Sequence, residues 1–217
     1  NSHSRVLEII VTEIEDISRK FGDDRRTEIQ AVSGEVDIED LIPEDTNIVA
    51  LTNNGYIKRT SSSEYSVQRR GGRGVNGMRQ REEDFVSEML ICSTHDNILF
   101  ISDRGIMFKL KCFELAEGSK ASRGTNIVNL LPLSQDEKIA AMIHCEDFGV
   151  DKYVIMITKN GKIKRTHLSK YQNVRKSGLI AIGLDPGDEI RGVLLTDGSE
   201  ELIAATRNGR AIRFSET

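Results

Sequence analysis

The sequence predicts an all-β protein, a propeller-like array of blades preceded by one α-helix. Three observations lead to this fold class. Short apolar stretches separated by turn residues recur after residue 45, a helical apolar pattern occupies the start of the chain, and 38% hydrophobic residues can supply a core. The recurring unit is about 50 residues long, and several short strands per unit of that length are typical of propeller-like arrays.

The repeat is centred on four glycines, Gly55, Gly105, Gly161 and Gly209, which are 50, 56 and 48 residues apart. Three of them follow an asparagine, and Asn-Gly favours a two-residue hairpin turn because both positions need a positive φ. Each unit is therefore expected to begin with a β-hairpin. Three units are complete and the fourth stops after its hairpin, so residues 46–217 predict an incomplete array of about three and a half blades.

The first element is an amphipathic helix within residues 1–29. Its apolar residues recur at steps of three and four, which places them on one face: Leu7, Ile10, Ile14, Ile17 and Phe21. Gly22 follows at the place where a C-cap glycine is expected. Residues 30–45 are rich in acidic side chains and predict a linker that leads into the first strand.

The charge distribution is asymmetric although the whole chain has a net charge of −4. Residues 1–45 have a net charge of −8, residues 46–217 one of +4, and residues 56–81 one of +6. A local positive field attracts polyanions even when the whole protein is acidic. No apolar run is long enough for a transmembrane helix, and no signal peptide is visible. Three widely spaced cysteines argue against a disulfide framework and favour a reducing cytoplasm.

A basic residue stands four positions after each repeat glycine. Because this position has the same parity as the apolar residue two after the glycine, we expect the cation where the strand leaves the core and reaches the rim. A row of such cations would suit the closely spaced phosphates of duplex nucleic acid. The alternative is that outer positions of any sheet are often basic. The row and its neighbours are Lys58 and Arg59, Lys109 and Lys111, Lys164 and Arg165, and Arg210 and Arg213.

The strongest local motif is Gln68-Arg69-Arg70-Gly71-Gly72-Arg73-Gly74. Its glycines allow the backbone to approach a phosphate closely, and its arginines offer paired donors to phosphate oxygens. No Gly-Lys-Ser/Thr follows, so the motif is not a P-loop. A related landmark recurs about 18 residues after the glycine of the next two units, as Arg123-Gly124 and Ser177-Gly178.

This heptapeptide resembles the gyrase A box found in the family of DNA gyrase A subunits, with Arg73 where the family usually has lysine. The stretches 21–29, 94–96 and 127–133 also resemble that family, and the likeness extends from Val6 onward. The resemblance implies that residues 1–29 end an N-terminal catalytic region. It also implies that residues 46–217 are part of a C-terminal, hairpin-invaded β-propeller (a β-pinwheel) whose basic perimeter wraps DNA.

By the same resemblance, the segment belongs to an ATP-dependent type II topoisomerase of the bacterial cytoplasm, associated with the nucleoid. It would bind and bend double-stranded DNA without sequence preference, so that the whole enzyme introduces negative supercoils. Its partners would be the gyrase B subunit and a second gyrase A subunit, with no membrane and no small-molecule substrate. The family's catalytic tyrosine, ATP and Mg belong to other parts, so no catalytic residue and no cofactor are expected in this segment.

The predicted DNA-binding residues combine the box with the repeated cations. They are Gln68, Arg69, Arg70, Gly71, Gly72, Arg73, Gly74, Lys58, Arg59, Lys109, Lys111, Arg123, Lys164, Arg165, Arg210 and Arg213. No metal site is predicted. Cys92 and His95 have a zinc-like spacing, but buried structural cysteines are the expected interpretation.

Two other functions remain open from the sequence. The C-terminal domain of the topoisomerase IV A subunit is similar but has a degenerate or missing box, and the intact motif favours gyrase. A propeller that serves as a protein-interaction module would make the rim cations incidental. An independent enzyme is disfavoured, because no convergent cluster of histidines, carboxylates or metal ligands is evident.

Overall fold

The computed structural model describes residues 3–23, 27, 38–65, 84–119 and 121–217. The chain separates into two compact units, residues 1–37 and 38–217. In the first unit, helix α1 spans His3–Phe21, and the N–H of Gly22 donates to the carbonyl of Ser18 at 2.7 Å where the helix ends. The predicted helix is confirmed. Among the described residues, no helix has both the length and the apolar character needed to cross a membrane.

Within the described residues, the second unit is made of short antiparallel strands in four sheets. In chain order they are β1 (Thr46–Thr52), β2 (Tyr56–Ser61), β3 (Val86–Ser93), β4 (Asn97–Ser102), β5 (Ile106–Lys111), β6 (Thr125–Asn126), β7 (Ile139–Cys145), β8 (Tyr153–Thr158), β9 (Ile163–His167), β10 (Leu179–Ile180), β11 (Ile190–Thr196), β12 (Glu201–Ala205) and β13 (Ala211–Ser215).

Each sheet is one blade, and neighbouring blades exchange strands. Blade 1 has the order β3-β1-β2-β6, blade 2 the order β10-β5-β4-β7, blade 3 the order β11-β8-β9, and blade 4 contains β12 and β13. The edge strands β6 and β10 come from the repeat that follows, so each repeat invades the blade before it. This confirms the hairpin-invaded, all-β fold. Because β3, β7 and β11 approach one another from blade to blade, β6 and β10 lie on the opposite, outer edge.

The repeat glycines lie in the hairpin turns, as predicted, but the two-residue turn with a positive φ at both positions is wrong. The N–H of Gly55 donates to the carbonyl of Thr52 at 2.9 Å, and Asp136 is the only non-glycine residue among those described that has a positive φ. All four have a positive φ between 75° and 84°. In blades 1 and 3, the aspartate that precedes the last strand accepts a hydrogen bond from the hairpin turn. A carboxylate oxygen of Asp84 accepts the N–H of Asn54 at 3.1 Å, and one of Asp188 accepts the N–H of Asn160 at 3.0 Å. These contacts explain why the acidic residues recur with the repeat.

The core lies between the blades. Phe100 of β4 packs toward blade 1, and its neighbour Leu99 packs toward blade 3, so alternate residues of this strand serve opposite interfaces. Both side chains are completely buried. Burying a side chain of this size contributes about 1.5–3 kcal/mol. Burial of both faces explains why the strand is an unbroken apolar run rather than an alternating pattern.

Candidate nucleic-acid interface

The outer edge of blade 1 is covered by the part of the second repeat that follows its hairpin. The N–H of Arg59 donates to the carbonyl of Ala116 at 3.2 Å, and the N–H of Gly118 donates to the carbonyl of Arg59 at 2.9 Å. Strand β6 then pairs with the first residues of β2. Residues 115–119 and 121–126 therefore run along β2 at the outer edge of the blade.

Two glycines allow these crossings. Gly124 and Gly178 have φ values of +83° and +87°. A Cβ added to Gly124 would lie 2.4 Å from the carbonyl oxygen of Ile57, and one added to Gly178 would lie 2.7 Å from Cγ2 of Ile106. Any side chain at either position would push the crossing segment away from the blade that it covers.

Basic residues stand directly before these crossing glycines. The guanidinium of Arg123 lies 3.8 Å from the ring centre of Tyr56 and is partly exposed. Arg175 and Lys176 are exposed in the corresponding loop of the third repeat. In the first repeat the equivalent pair is Arg73-Gly74. The whole box, residues 68–74, lies outside the described residues, so its role stays a prediction.

Three of the four cations at the fourth position after the glycine reach across to the next blade. Arg59 donates through Nε to the carbonyl of Leu115 at 2.9 Å and is only 17% exposed. Lys109 donates to the carbonyl of Gln172 at 2.5 Å, and Arg165 donates to the carbonyl of Glu216 at 2.8 Å. We expected a row of exposed cations, and the structure instead places these three in the joints between blades.

The fourth cation of the set behaves differently. Arg213 is exposed and pairs with Glu201 of its own blade. Arg210 is exposed beside the turn of the same hairpin, and its N–H donates to the hydroxyl of Thr206 at 3.2 Å. Lys111 is half-buried, with its ammonium 2.7 Å from a carboxylate oxygen of Glu39.

Lys58 is not at the surface, so the exposed position expected for it is wrong. Only 1% of the residue is accessible. Its ammonium donates to the carbonyls of Ser119 and Ser122 at 2.8 and 3.1 Å. Burial lowers the pKa of Lys58, and the nearby charge of Glu64 partly offsets that effect. Lys164, its counterpart in blade 3, is exposed and donates to the carbonyl of Ala181 at 2.6 Å.

The zinc-like spacing of Cys92 and His95 does not bring the two side chains to a common site. The sulfur of Cys92 lies 3.4 Å from that of Cys112, and Nε2 of His95 lies 2.8 Å from the carbonyl of Ile42. The contact with Cys112 and burial raise the pKa of Cys92. Over the part of the chain that the structure describes, no group of three or more His, Cys, Asp or Glu side chains is arranged to hold a metal ion.

The residues that the predicted set lacked are Arg175 and Lys176. They lie on a loop, where no strand periodicity reveals which residues are exposed. The signal that could have found them is the recurrence of a basic residue just before the crossing glycine in each of the first three repeats.

Four stretches of the chain match the family described as DNA gyrase C-terminal domain, beta-propeller: residues 46–93, 96–146, 152–197 and 200–217. The DNA gyrase A subunit of Clostridium acetobutylicum is 46% identical over 98% of this chain, which covers 26% of that relative. The DNA gyrase A subunit of Haemophilus influenzae is 41% identical over 100% of this chain, which covers 24% of that relative. The chain thus spans about a quarter of the length of these curated relatives.

The similar solved structures are also C-terminal domains of type II topoisomerases. The C-terminal domain of DNA topoisomerase IV matches with a TM-score of 0.69 and 32% identity, over 81% of this chain and 53% of that one. The DNA gyrase A C-terminal domain matches with a TM-score of 0.62 and 27% identity, over 79% and 55% of the two chains. Repeats, strand exchange and sequence agree, and the chain belongs to the family of DNA gyrase C-terminal domains.

Proposed function

We propose that residues 46–217 bind duplex DNA without sequence preference and bend it around the outer edge of the blades, as part of a DNA gyrase A subunit. The observation that carries this proposal is the repeated crossing loop. In the second and third repeats, a loop with exposed or partly exposed arginine or lysine precedes a positive-φ glycine at the outer edge. The same charge therefore returns at the same place on successive blades.

Electrostatics supports phosphate contacts as the main source of affinity. Duplex DNA carries a charge about every 1.7 Å along its axis, and each neutralised phosphate releases counterions. Residues 46–217 have a net charge of +4 although the whole chain has one of −4. Contacts of this kind position the duplex but do not read its bases, so the proposed binding has little sequence preference.

Exposure divides the predicted contact residues into two groups. We assign direct phosphate contacts to the exposed or partly exposed cations that bond neither the following repeat nor Glu39, which are Arg123, Lys164, Arg175, Lys176, Arg210 and Arg213. The box arginines Arg69, Arg70 and Arg73 remain in this group as sequence-based predictions. Lys58 leaves the group because it is buried.

Gyrase is preferred to topoisomerase IV because the relatives above are gyrase A subunits and the box motif is intact. In the whole enzyme, with the gyrase B subunit and a second gyrase A subunit, wrapped DNA would bias strand passage toward negative supercoiling. ATP and Mg would act in other parts of that assembly, in the bacterial cytoplasm at the nucleoid.

The test compares two pairs of charge removals in the full-length protein. Arg175→Gln with Lys176→Gln removes charge from a crossing loop, and Arg104→Gln with Lys138→Gln removes equal charge from other exposed positions. We expect the first pair to lower duplex affinity and to reduce the slope of log K against log salt by about 0.9 for each lost phosphate contact. Equal effects of the two pairs would contradict the outer-edge interface. A wild-type protein that fails to bind duplex DNA at low salt would favour the protein-interaction module.

A further inference from the structure

We propose that Arg59, Lys109 and Arg165 are positioning residues, which fix the angle between consecutive blades and so set the curvature of bound DNA. This inference rests on the proposed wrapping function. It assigns to these three cations a role other than phosphate contact, although all three belong to the row that the sequence predicts to bind DNA.

The joint between blades 1 and 2 shows the arrangement most fully. Arg59 is opposite Val49 in the β1–β2 pairing, and Val49 is completely buried in the core between the two blades. The Arg59 guanidinium donates to the carbonyl of Leu115 in the second repeat, and it lies 3.2 Å from the carboxylate of Glu117. On its own blade it donates to the side chain of Asn47 at 3.4 Å. One side chain therefore ties blade 1 to the segment of the second repeat that leaves blade 2 after β5.

The next joint repeats this placement with a lysine. Lys109 is opposite Leu99 in the β4–β5 pairing, and Leu99 is buried in the core between blades 2 and 3. Its ammonium donates to the carbonyl of Gln172 in the third repeat and lies 5.3 Å from the ring centre of Phe148. The aromatic contact adds a second attraction that holds the ammonium in place.

At the third joint the acceptor is itself fixed. Arg165 is opposite Ile155 in the β8–β9 pairing and donates to the carbonyl of Glu216. The buried carboxylate of Glu216 accepts the hydroxyl of Thr196 and the N–H of Glu200, each at 2.6 Å. Arg165 also lies 3.9 Å from the ring centre of Tyr153. Tyr153 therefore positions Arg165 from its own blade, and the carbonyl of Glu216 in the fourth repeat accepts its hydrogen bond.

The common feature is a charged donor bonded to a main-chain carbonyl of the following repeat. Hydrogen bonds from a charged donor are short and about twice as strong as neutral ones. A main-chain acceptor has no side-chain freedom, so the contact fixes the following repeat rather than a flexible group. The same position in blade 4, Arg213, pairs with Glu201 of its own sheet.

Curvature follows from the joints. The described crossing-loop residues, 119 and 121–123 of the second repeat and 172–178 of the third, lie on the outer edges of blades 1 and 2. DNA that contacts both loops must turn through the angle between those blades. Loosening the joint at Arg59 changes this angle but leaves the phosphate-binding residues Arg123, Arg175 and Lys176 in place, because Arg59 bonds none of them. Loss of a positioning residue should therefore change how DNA is bent and leave local affinity unchanged.

The test uses charge-conserving variants in the full-length protein, Arg59→Lys and, as the matched control, Arg104→Lys, at an exposed arginine outside the proposed contact residues. Lysine keeps the charge but carries it on a single nitrogen, whereas Nε, Nη1 and Nη2 of Arg59 each contact a different partner, Leu115, Asn47 and Glu117. Two quantities are measured for each variant. One is the affinity for a 12-bp duplex about 40 Å long, too short to be wrapped. The other is the change in linking number when a nicked plasmid is sealed by ligase with saturating protein.

We expect Arg59→Lys to keep the affinity for the 12-bp duplex within about twofold of wild type and to reduce the linking-number change about twofold or more. Arg104→Lys should leave both quantities at wild-type values. A wild-type linking-number change in Arg59→Lys would overturn the inference. A wild-type protein that binds the short duplex but never changes the linking number would instead contradict the proposed wrapping function.

Neutral variants separate a positioning role from direct phosphate contact. Arg175→Met should weaken the 12-bp affinity, and Arg59→Met should leave it unchanged while reducing the linking-number change. Equal loss of short-duplex affinity in both would overturn the inference. If circular dichroism shows that Arg59→Met does not fold, Arg59→Lys decides the question alone.

Discussion

Gly124 lies against the backbone of Ile57, so closely that a Cβ on the glycine would come within 2.4 Å of the Ile57 carbonyl oxygen. This approach allows the second repeat to cross onto blade 1 and pair through β6. Gly161, at the turn of blade 3, has a nearly identical φ of +84°, but its Cβ would meet nothing within 4 Å. A side chain at Gly161 would therefore be strained by backbone conformation alone, whereas one at Gly124 would also clash with a neighbouring carbonyl.

Gly124→Ala should therefore destabilise the chain more than Gly161→Ala. We expect Gly161→Ala to lower the free energy of unfolding by about 1–2 kcal/mol, the usual cost of a left-handed residue with a side chain. Gly124→Ala should lower it by about 3 kcal/mol or more, because the carbonyl of Ile57 must also move. Urea unfolding of both variants measures the difference, and equal losses would contradict the strand exchange.

Lys58→Met tests the buried lysine. The substitution leaves the carbonyls of Ser119 and Ser122 without their charged donor, so we expect the free energy of unfolding to fall by about 1–3 kcal/mol. Lys164→Met is the matched control, since this exposed lysine loses a single carbonyl contact and its carbonyl can bond water instead. A Lys58→Met variant with wild-type stability and weakened DNA binding would show that the lysine acts at the surface.

The hairpins and their turns could be predicted because their signals are local. Gly55 adopts the positive φ that ends the turn, a conformation that glycine allows whatever packs around it. The burial of Lys58 could not be predicted in the same way. Its carbonyl partners lie 61 and 64 residues further along the chain, on a segment that crosses back from the next repeat.

The same reason explains the inter-blade contacts. Strand parity placed Arg59 on the face of Ile57, which is buried in the core, but parity does not reveal which segment covers that face. The carbonyl of Leu115 reaches Arg59 only because blade 2 stacks on blade 1. The sequence repeat therefore showed that Arg59, Lys109 and Arg165 occupy equivalent positions. It did not show that each donates to a main-chain carbonyl of the following repeat, which only the structure reveals.

The thiols provide a third prediction. Burial, followed by the charges of Asp147 and Asp96, raises the pKa of Cys145 to about 11, so this thiol is neutral in the native state near pH 8. Cys92 and Cys112 are also buried. We expect all three to be unreactive toward Ellman's reagent until denaturant is added. Rapid reaction of any of them in the native chain would contradict the packing between blades.

The raised pKa of Cys145 also predicts how stability depends on pH. Above pH 9 the unfolded chain loses the thiol proton, and the folded chain keeps it until about pH 11. The native state then binds more protons than the unfolded state, so the contribution of Cys145 to stability falls across that range. Cys145→Ala should lose less stability than wild type between pH 9 and pH 11 in urea titrations. An unchanged dependence would place this thiol in solvent.

Asp188 provides an acid-side prediction. Burial raises its pKa, but hydrogen bonds from Thr158 and from the N–H groups of Asn160 and Glu189 outweigh burial and lower it overall. The stabilisation is therefore present above the unfolded pKa near 3.8 and is lost as pH falls. The stability difference between wild type and Asp188→Ala should shrink from pH 7 to pH 3. Asp185→Ala, which loses only an exposed pair with Lys162, should show a small difference throughout.

The central claim, that DNA follows the outer edge of the blades, is tested most directly by cleavage from a tethered reagent. An iron–EDTA group is attached to Ser177→Cys in the crossing loop of the third repeat or to His144→Cys on the inner strand β7, both of which are exposed. The three cysteines of this chain are buried, and the unsubstituted protein serves as the blank. We expect strong cleavage of bound duplex DNA from position 177 and little from position 144. Stronger cleavage from position 144 would contradict the outer-edge path.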